Sequence, residues 1–318
     1  MRMHHKIDPL IDCKKWQVED YRLLAEEEIF SRLQLLGIAI SKKTFFEYAG
    51  HADNPEELAD MLWVNDDDME GYDQAYLNLF ELWRRYFVDT PSLSIFCDEL
   101  DTKIEKYVRQ GIRSIDLEPI LKDLVDILDE NVADGYDHQE IFKEVASHVA
   151  HNIEDFLFDY ISTCLDEEDV LYGSALIDDF YEYVEDQIWF DFLKARAMYH
   201  VDKHQGSFLL LKIIENTSVN DADIDLEVLS FAHLEEDKNL FLTVALELID
   251  KLKEAQDMID LLELLSLFFQ KLYKQDISIY FDSLMKLVQK EEDLSFGERE
   301  KIRHILHQEQ RNHIDSID

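Results

Sequence analysis

The sequence predicts an all-α protein. Only 8 glycines and 4 prolines occur in its 318 residues, far below the roughly 12% that average composition supplies. Apolar residues recur at spacings of three and four, the period of one helical face, and no alternating run of Val, Ile and Thr bounded by turn residues indicates a strand. We therefore expect long helices joined by short turns.

Two helix starts in the N-terminal part are marked by a capping residue followed by proline. Asn54 offers an N-cap with Pro55 at the first helical position, and this pattern predicts a helix from Pro55 to about Val64. Thr90-Pro91 begins a second helix. The apolar face of this second helix is formed by Leu93, Phe96, Leu100, Ile104 and Val108.

Two further signals lie later in the chain. Asp134-Gly135 falls between two helical patterns and predicts a turn between helices rather than a hairpin of strands. Ser295 and Glu298 have the spacing of a capping box and precede an apolar helical face. Both signals agree with the all-α prediction.

The charge balance restricts the class of partner. The chain has 71 Asp and Glu against 31 Lys and Arg, a formal net charge of −40. Such a charge repels nucleic acids and anionic lipid surfaces, so the expected partner is a protein, and a basic one. The alternative is that the acidic residues only keep the protein soluble.

Compartment signals are few. No apolar stretch is long enough for a membrane span, and the first residues lack the apolar region of a signal peptide. The three cysteines, Cys13, Cys97 and Cys164, are widely separated and show no CxxC spacing, which is typical of reduced thiols. We expect a cytoplasmic protein.

The strongest candidate for a binding surface is the segment from Glu144 to Leu193, which holds 14 acidic residues and no Lys or Arg. Ten aromatic residues share this segment. Acidic side chains beside aromatic rings form a suitable groove for a basic, partly apolar peptide. We expect the groove on one helix. Its predicted members are Tyr181, Glu182, Tyr183, Glu185 and Asp186.

A repeat is visible in the third quarter of the chain. An offset of 36 residues aligns three sets of residues, each on the first helix of a helix-turn-helix pair, with polar breaks at 203–206, 235–239 and 274–276. These sets are Phe190, Leu226 and Leu262; Leu193, Leu229 and Leu265; and Ala197, His233 and Phe269. Such a period is typical of proteins in which each helix pair buries its apolar face against the next.

In period and layout, residues 189–290 resemble tetratricopeptide and HEAT-type helical repeats, although the Trp-x2-Leu-Gly-x2-Tyr signature is missing. The resemblance implies antiparallel helix hairpins stacked as an α-solenoid. The alternative is a non-repetitive helix bundle. We divide the chain into an N-terminal helical segment, residues 1–111, and a repeat-like segment, residues 112–318.

Two groups of residues are candidate metal ligands. Asp66, Asp68 and Glu70 occupy three positions of a calcium loop, but the closing Glu of that motif is absent. Glu144, His148 and His151 have helical spacing and would place two imidazoles beside a carboxylate, a ligand set that suits zinc. The alternative for both groups is ordinary solvated polar residues.

Motifs for catalysis and nucleotide binding are absent from the sequence: it contains neither Gly-x-Ser-x-Gly nor a glycine-rich phosphate loop. We therefore expect no cofactor and no enzymatic activity, and the preferred function is a protein-binding scaffold, adaptor or chaperone with an acidic face. One alternative is a metal-dependent helical enzyme that uses His148 and His151. The other is an acidic inhibitor, such as an immunity protein or a DNA mimic.

Overall fold

The computed structural model describes residues 13–65, 67–88, 92–110, 116–167, 169–217, 222–290 and 294–314. Within these ranges the chain forms seventeen α-helices and one short 3-10 helix, with no strand. The prediction of an all-α protein is therefore confirmed. No helix in this described part is both long and apolar enough to cross a membrane.

The chain divides into two units, residues 1–156 and 157–318. This division differs from the predicted boundary at residue 111. The residues around position 111 lie outside the described ranges, but hydrogen bonds join the chain after them to the helix before them. The Asp101 carboxylate accepts hydrogen bonds from the backbone N–H groups of Ala150 at 2.8 Å and His151 at 3.1 Å. A local break in the sequence marks the end of a helix, whereas the division between units depends on which helices pack together.

The first unit is built around α5, which packs against α2 and α4. Side chains with no exposed surface fill this core, among them Leu33, Phe45, Leu58 and Leu82. The elements of the unit are α1 (Lys15–Val18), a 3-10 helix (Tyr21–Leu23), α2 (Glu26–Leu35), α3 (Lys42–Ala49), α4 (Pro55–Leu62), α5 (Met69–Tyr86), α6 (Leu93–Gln110), α7 (Glu118–Ala133) and α8 (His138–Ser147).

The second unit has a continuous hydrophobic core in which Phe241 stacks on Phe268 with ring centroids 4.1 Å apart. The division between the units falls inside α9. The remaining helices are α9 (Ile153–Asp166), α10 (Val170–Phe180), α11 (Gln187–Val201), α12 (Lys203–Asn216), α13 (Ala222–Leu234), α14 (Lys238–Lys251), α15 (Ala255–Lys271), α16 (Gln275–Val288) and α17 (Phe296–Ile314).

Helices α11 to α16 form three consecutive pairs. Within each pair the two helices contact each other, and the connections are short: Asp202 alone, residues 235–237 and residues 272–274. The first helices also contact one another, α11 with α13 and α13 with α15, and α12 contacts α14. Helix α17 packs against α14. The three predicted turns thus lie within a few residues of the observed ones.

Both predicted helix starts that fall in the described residues are confirmed. Asn54 Oδ1 accepts a hydrogen bond from Glu57 N at 2.8 Å and caps α4, which ends at Leu62. Ser295 and Glu298 form the capping box of α17, with Glu298 Oε2 accepting from Ser295 N at 2.7 Å. Thr90-Pro91 lies outside the described residues.

Aspartates perform the same capping role at six further positions. Each accepts a hydrogen bond from a backbone N–H in the first turn of the following helix, which satisfies a donor that has no partner within the helix. Part of the acidic composition is therefore used to start helices. The six residues are Asp20, Asp68, Asp137, Asp169, Asp202 and Asp237.

Candidate binding surfaces

The aromatic residues of the Glu144–Leu193 segment form core rather than an open groove. Six of the ten rings are buried, and the other four are only partly exposed. Two of the partly exposed rings, Phe158 and Trp189, pack edge to face with centroids 5.1 Å apart. The expectation of an aromatic groove is therefore wrong for most of this segment. The buried rings are Phe156, Tyr160, Phe180, Tyr183, Phe190 and Phe192.

The predicted binding helix at residues 181–186 is a turn between α10 and α11. Helix α10 ends at Phe180, and the carbonyl oxygen of Phe180 accepts hydrogen bonds from the backbone N–H groups of Tyr183 and Val184 at 3.0 and 3.2 Å. Tyr183 is 4% exposed, so it anchors the turn in the core and is not a surface residue. The acidic side chains of the turn, Glu182, Glu185 and Asp186, are exposed as expected.

Tyr181 lies at the centre of a small polar cluster on the surface. Its hydroxyl donates to Asp191 Oδ1 at 2.9 Å. The Lys194 ammonium lies 3.4 Å from the centroid of the Tyr181 ring and 3.9 Å from Asp178 Oδ1. We call Asp178, Tyr181, Glu182 and Asp191 the acidic corner. Helix α10, the turn and α11 each contribute to it, so sequence spacing alone does not reveal it.

The carboxylates of the corner affect the pKa of its tyrosine. Partial burial raises the pKa of Tyr181, and the hydrogen bond to Asp191 and the negative charges of Asp191 and Glu182 raise it further. The field at this hydroxyl is therefore negative. A negative field beside a partly exposed aromatic ring attracts an ammonium or guanidinium group.

Exposed carboxylates continue beyond the corner. Arg196, the next cation along α11, is 5% exposed and binds Asp166 at 2.5 Å and Ser162 at 3.1 Å. The described part of residues 157–191 has ten exposed acidic residues, so this part of the second unit is strongly negative. They are Asp159, Asp166, Glu167, Asp169, Asp178, Asp179, Glu182, Glu185, Asp186 and Asp191.

The structure separates the predicted histidine ligands. Helix α8 ends at Ser147, so His148 caps it and His151 lies in the turn that follows. His148 Nε2 is 3.4 Å from Glu144 Oε1, whereas His151 Nδ1 is 2.7 Å from Asp101 Oδ1. The prediction of one helical face for these three residues is therefore wrong, and His151 connects α6 to the start of α9.

The predicted calcium loop is engaged in helix capping and packing. Asp68 caps α5 by accepting from Gly71 N at 2.9 Å. Glu70 accepts from Trp16 Nε1 at 3.1 Å and is ion-paired with Lys14. Asp66 lies outside the described residues. Among the residues that the structure describes, no group of three His, Cys, Asp or Glu side chains is arranged to hold a metal ion.

The buried cysteines lack the properties of nucleophiles. Burial raises the pKa of Cys97 to about 12 and that of Cys164 to about 11. Because the thiolate is the reactive form, both thiols remain protonated and unreactive at neutral pH.

The first unit contains a cleft that the sequence did not predict. The cleft has a volume of about 120 Å³ and combines the rings of Trp16, Tyr21 and Phe80 with several carboxylates. Most of these carboxylates bind arginines of the same chain: Glu19 pairs with Arg32 at 2.7 Å. The cleft therefore lies along an ion-paired seam that holds residues 13–24 on α5 and α6. Its residues are far apart in the sequence, so no local pattern predicted it.

Comparison with known proteins adds no family: no protein-family model, curated protein or solved structure shows significant similarity to this chain.

Proposed function

We propose that this chain is a non-enzymatic protein-binding module, a scaffold, adaptor or chaperone, whose acidic corner receives a basic segment of a partner protein. The proposal includes a cytoplasmic location, which suits three free thiols. It also includes an α-solenoid built from α11 to α16. The contacts between alternate helices α11, α13 and α15 support this arrangement, because stacked hairpins pack in that manner.

The observation that carries the proposal is the position of Lys194. Its ammonium occupies the face of Tyr181 next to Asp178, so the chain itself supplies a cation with the chemistry expected of the partner. The Lys194 side chain is 39% exposed and that of Asp178 is 78% exposed. Such a partly solvated pair contributes only about 0–1 kcal/mol. A lysine or arginine from a partner is therefore able to replace it at small cost.

The C-terminal end of α10 provides independent support. Asp178 and Asp179 lie in its last turn, which contains no basic residue. Carboxylates at this end of a helix oppose the helix dipole, and each costs roughly 0.3–1 kcal/mol. A departure from local helix preferences at exposed positions is expected where function requires the charge.

Charge reversal at the corner and at the adjacent Asp179 tests the proposal. The variant D178K/D179K/E182K places bases where the helix dipole favours them, so we expect the fold to be retained. A fluorescent peptide of twelve lysines serves as the probe, and its affinity is measured by anisotropy at 50 and 200 mM NaCl. We expect at least a tenfold loss of affinity in the variant, and weaker binding to the wild type at the higher salt concentration.

A matched control separates a local site from net charge. The variant E215K/E235K/E247K changes the charge equally at three exposed positions of the second unit outside the corner. We expect a loss of less than threefold. Equal losses in the two triple variants would mean that net charge alone binds the peptide, and the corner would be discarded.

Removal of the Lys194 ammonium group is a sharper test. In K194M, the face of Tyr181 and the Asp178 carboxylate become available, so we expect the lysine peptide to bind more tightly than it binds the wild type. Unchanged or weaker binding would contradict the role of Lys194 as a competitor. Capture from native lysate at low salt, with the corner triple variant as the control, then identifies the partner. Release of nuclease activity from that partner when the chain is removed would establish the inhibitor function instead.

A further inference from the structure

Tyr273 departs from two local preferences at once. It lies in the turn between α15 and α16 with φ at +58°, the left-handed region that favours glycine, and the residue is 94% exposed. The turn is closed by hydrogen bonds from Tyr273 N to Gln270 O at 3.0 Å and from Lys274 N to Phe269 O at 2.9 Å. Glycine is the usual residue at this position of such a turn, because an L side chain is strained there.

The preceding hairpin contains the same turn. Glu236, between α13 and α14, has φ at +54°, and Asp237 N donates to Ala232 O at 3.0 Å. Glu236 and Tyr273 are the two residues other than glycine with positive φ in the described part of the chain. The backbone strain is therefore the same in both turns, but only one of them presents a large aromatic side chain. The pair provides a natural control.

The surroundings of Tyr273 combine apolar side chains with polar groups and charges of both signs. A shallow depression next to the ring is lined by Lys274, Gln275, Asp276 and Ile277. Ile279, one turn further along α16, is 62% exposed. A surface with an aromatic anchor, a depression and charges of both signs is able to complement itself in an isologous interface.

The charge distribution indicates which molecule binds at this depression. Residues 251–290 contain six acidic and six basic residues, although two of these lysines pair with buried carboxylates outside the segment, and the whole chain carries a net charge of −40. Two copies of so acidic a chain repel each other through most of their surfaces, and this repulsion is smallest where this less acidic segment faces itself. We propose that a second copy of this chain docks here, with Tyr273 of each copy in the depression of the other.

Sedimentation velocity of the full chain from 1 to 200 μM tests this proposal. We expect a dimer at the upper concentrations and a smaller dissociation constant in 500 mM than in 50 mM NaCl, because salt screens the mutual repulsion. Binding of the lysine peptide has the opposite salt dependence. Failure of the dimer and failure of the basic-partner proposal are therefore distinguishable. A monomer throughout this range would overturn the proposal.

The variants Y273G and E236G distinguish the effect of the Tyr273 side chain from the effect of backbone strain. Glycine relieves the left-handed strain in both, so we expect the melting temperature to rise by about 2 °C or to stay unchanged in each. Only Y273G removes the anchor, and we expect at least a tenfold weaker dimer in Y273G and an unchanged one in E236G. An unchanged dimer in Y273G, or equal weakening in both variants, would overturn the proposal.

Discussion

The two units use their few cations differently. In the first unit, arginines connect several acceptors along a partly exposed seam. Arg84 and Arg85 both bind Glu81, at 2.8 and 2.6 Å, and Arg85 also donates to the backbone carbonyl of Leu24 at 2.8 Å. In the second unit, the buried carboxylates of Asp225 and Glu309 are bound by lysines instead. Lys251 lies 2.5 Å from Asp225, whose side chain has no exposed surface.

The difference follows from what each cation holds together. The planar guanidinium donates in several directions, so an arginine is able to fasten an irregular segment such as residues 19–24 by its carbonyl groups. The lysine ammonium is a compact charge that reaches one buried carboxylate between packed helices. The second unit already has a large hydrophobic core, and its ion pairs join helices that pack together. The first unit depends on its ion pairs to hold a segment with little core of its own.

The largest expected effect is in the second unit. In K251M, the buried Asp225 carboxylate loses the ammonium charge that compensates it, although the Thr217 hydroxyl still donates to it at 2.6 Å, so we expect a loss of about 3–5 kcal/mol in the free energy of unfolding. The double variant D225L/K251M removes the buried charge and should recover most of this loss. Urea unfolding at pH 7 measures both.

The exposed Lys253 offers the control for that experiment, since K253M removes the same charge from a solvated position. We expect a change within about 0.5 kcal/mol. A loss of less than about 1 kcal/mol in K251M would contradict the importance of the buried pair.

In the first unit, E81Q should have a smaller effect. Glu81 is 2% exposed, but Arg84 also lies 3.3 Å from Glu99 and retains that partner. We expect a loss of about 1.5–3 kcal/mol in the free energy of unfolding, and faster amide hydrogen exchange in residues 21–24. The variant E99Q, at a 41% exposed side chain, should cost less than about 1 kcal/mol. Unchanged exchange in E81Q would show that the seam does not hold this segment.

Removal of a helix cap should destabilise the two units by similar amounts, because capping is a local interaction. N54A in α4 and S295A in α17 each remove a side-chain acceptor of a backbone N–H. We expect each to lose about 1 kcal/mol in thermal or urea unfolding. A much larger loss in one unit would indicate that its cap also holds tertiary structure.

The smallest expected effect is on the pH dependence of stability. Burial lowers the pKa of His233, and the charge of Lys271 lowers it further, so the folded protein disfavours the protonated ring. The unfolded chain then binds the proton first, and stability falls as the pH falls below the ordinary histidine pKa of about 6.5. In H233Q the difference in unfolding free energy between pH 7.5 and 5.5 should be smaller than in the wild type. An identical pH dependence would contradict this role of His233.

The sequence predicted the features that depend on neighbouring residues. The caps at Asn54 and Ser295 and the Asp134-Gly135 turn are set by hydrogen bonds and backbone preferences within a few positions. Gly135 has φ at +105°, and the turn separates α7 from α8 as expected. The three helix pairs between residues 187 and 288 were also predicted, because their apolar spacing and polar breaks are repeated along the chain.

The candidate site was only partly predictable. Glu182, Glu185 and Asp186 are exposed, as their charge requires, but Tyr183 is buried because the end of α10 at Phe180 turns it toward the core. Charge patterns identify which residues must face water, whereas an aromatic ring of intermediate polarity suits either environment. The packing of α10 against α11 decides between them.

What the tertiary structure alone decided are the contacts between distant residues. Asp101 meets His151 across 50 positions, Asp225 meets Lys251 across 26, and Lys194 covers the ring of Tyr181 from the next helix. Local conformational preferences do not determine such pairs, since each partner is an ordinary helix or turn residue in its own segment. The pairing is fixed only when apolar faces pack and bring particular polar groups within hydrogen-bonding distance, because a buried charge or donor is stable only with a partner.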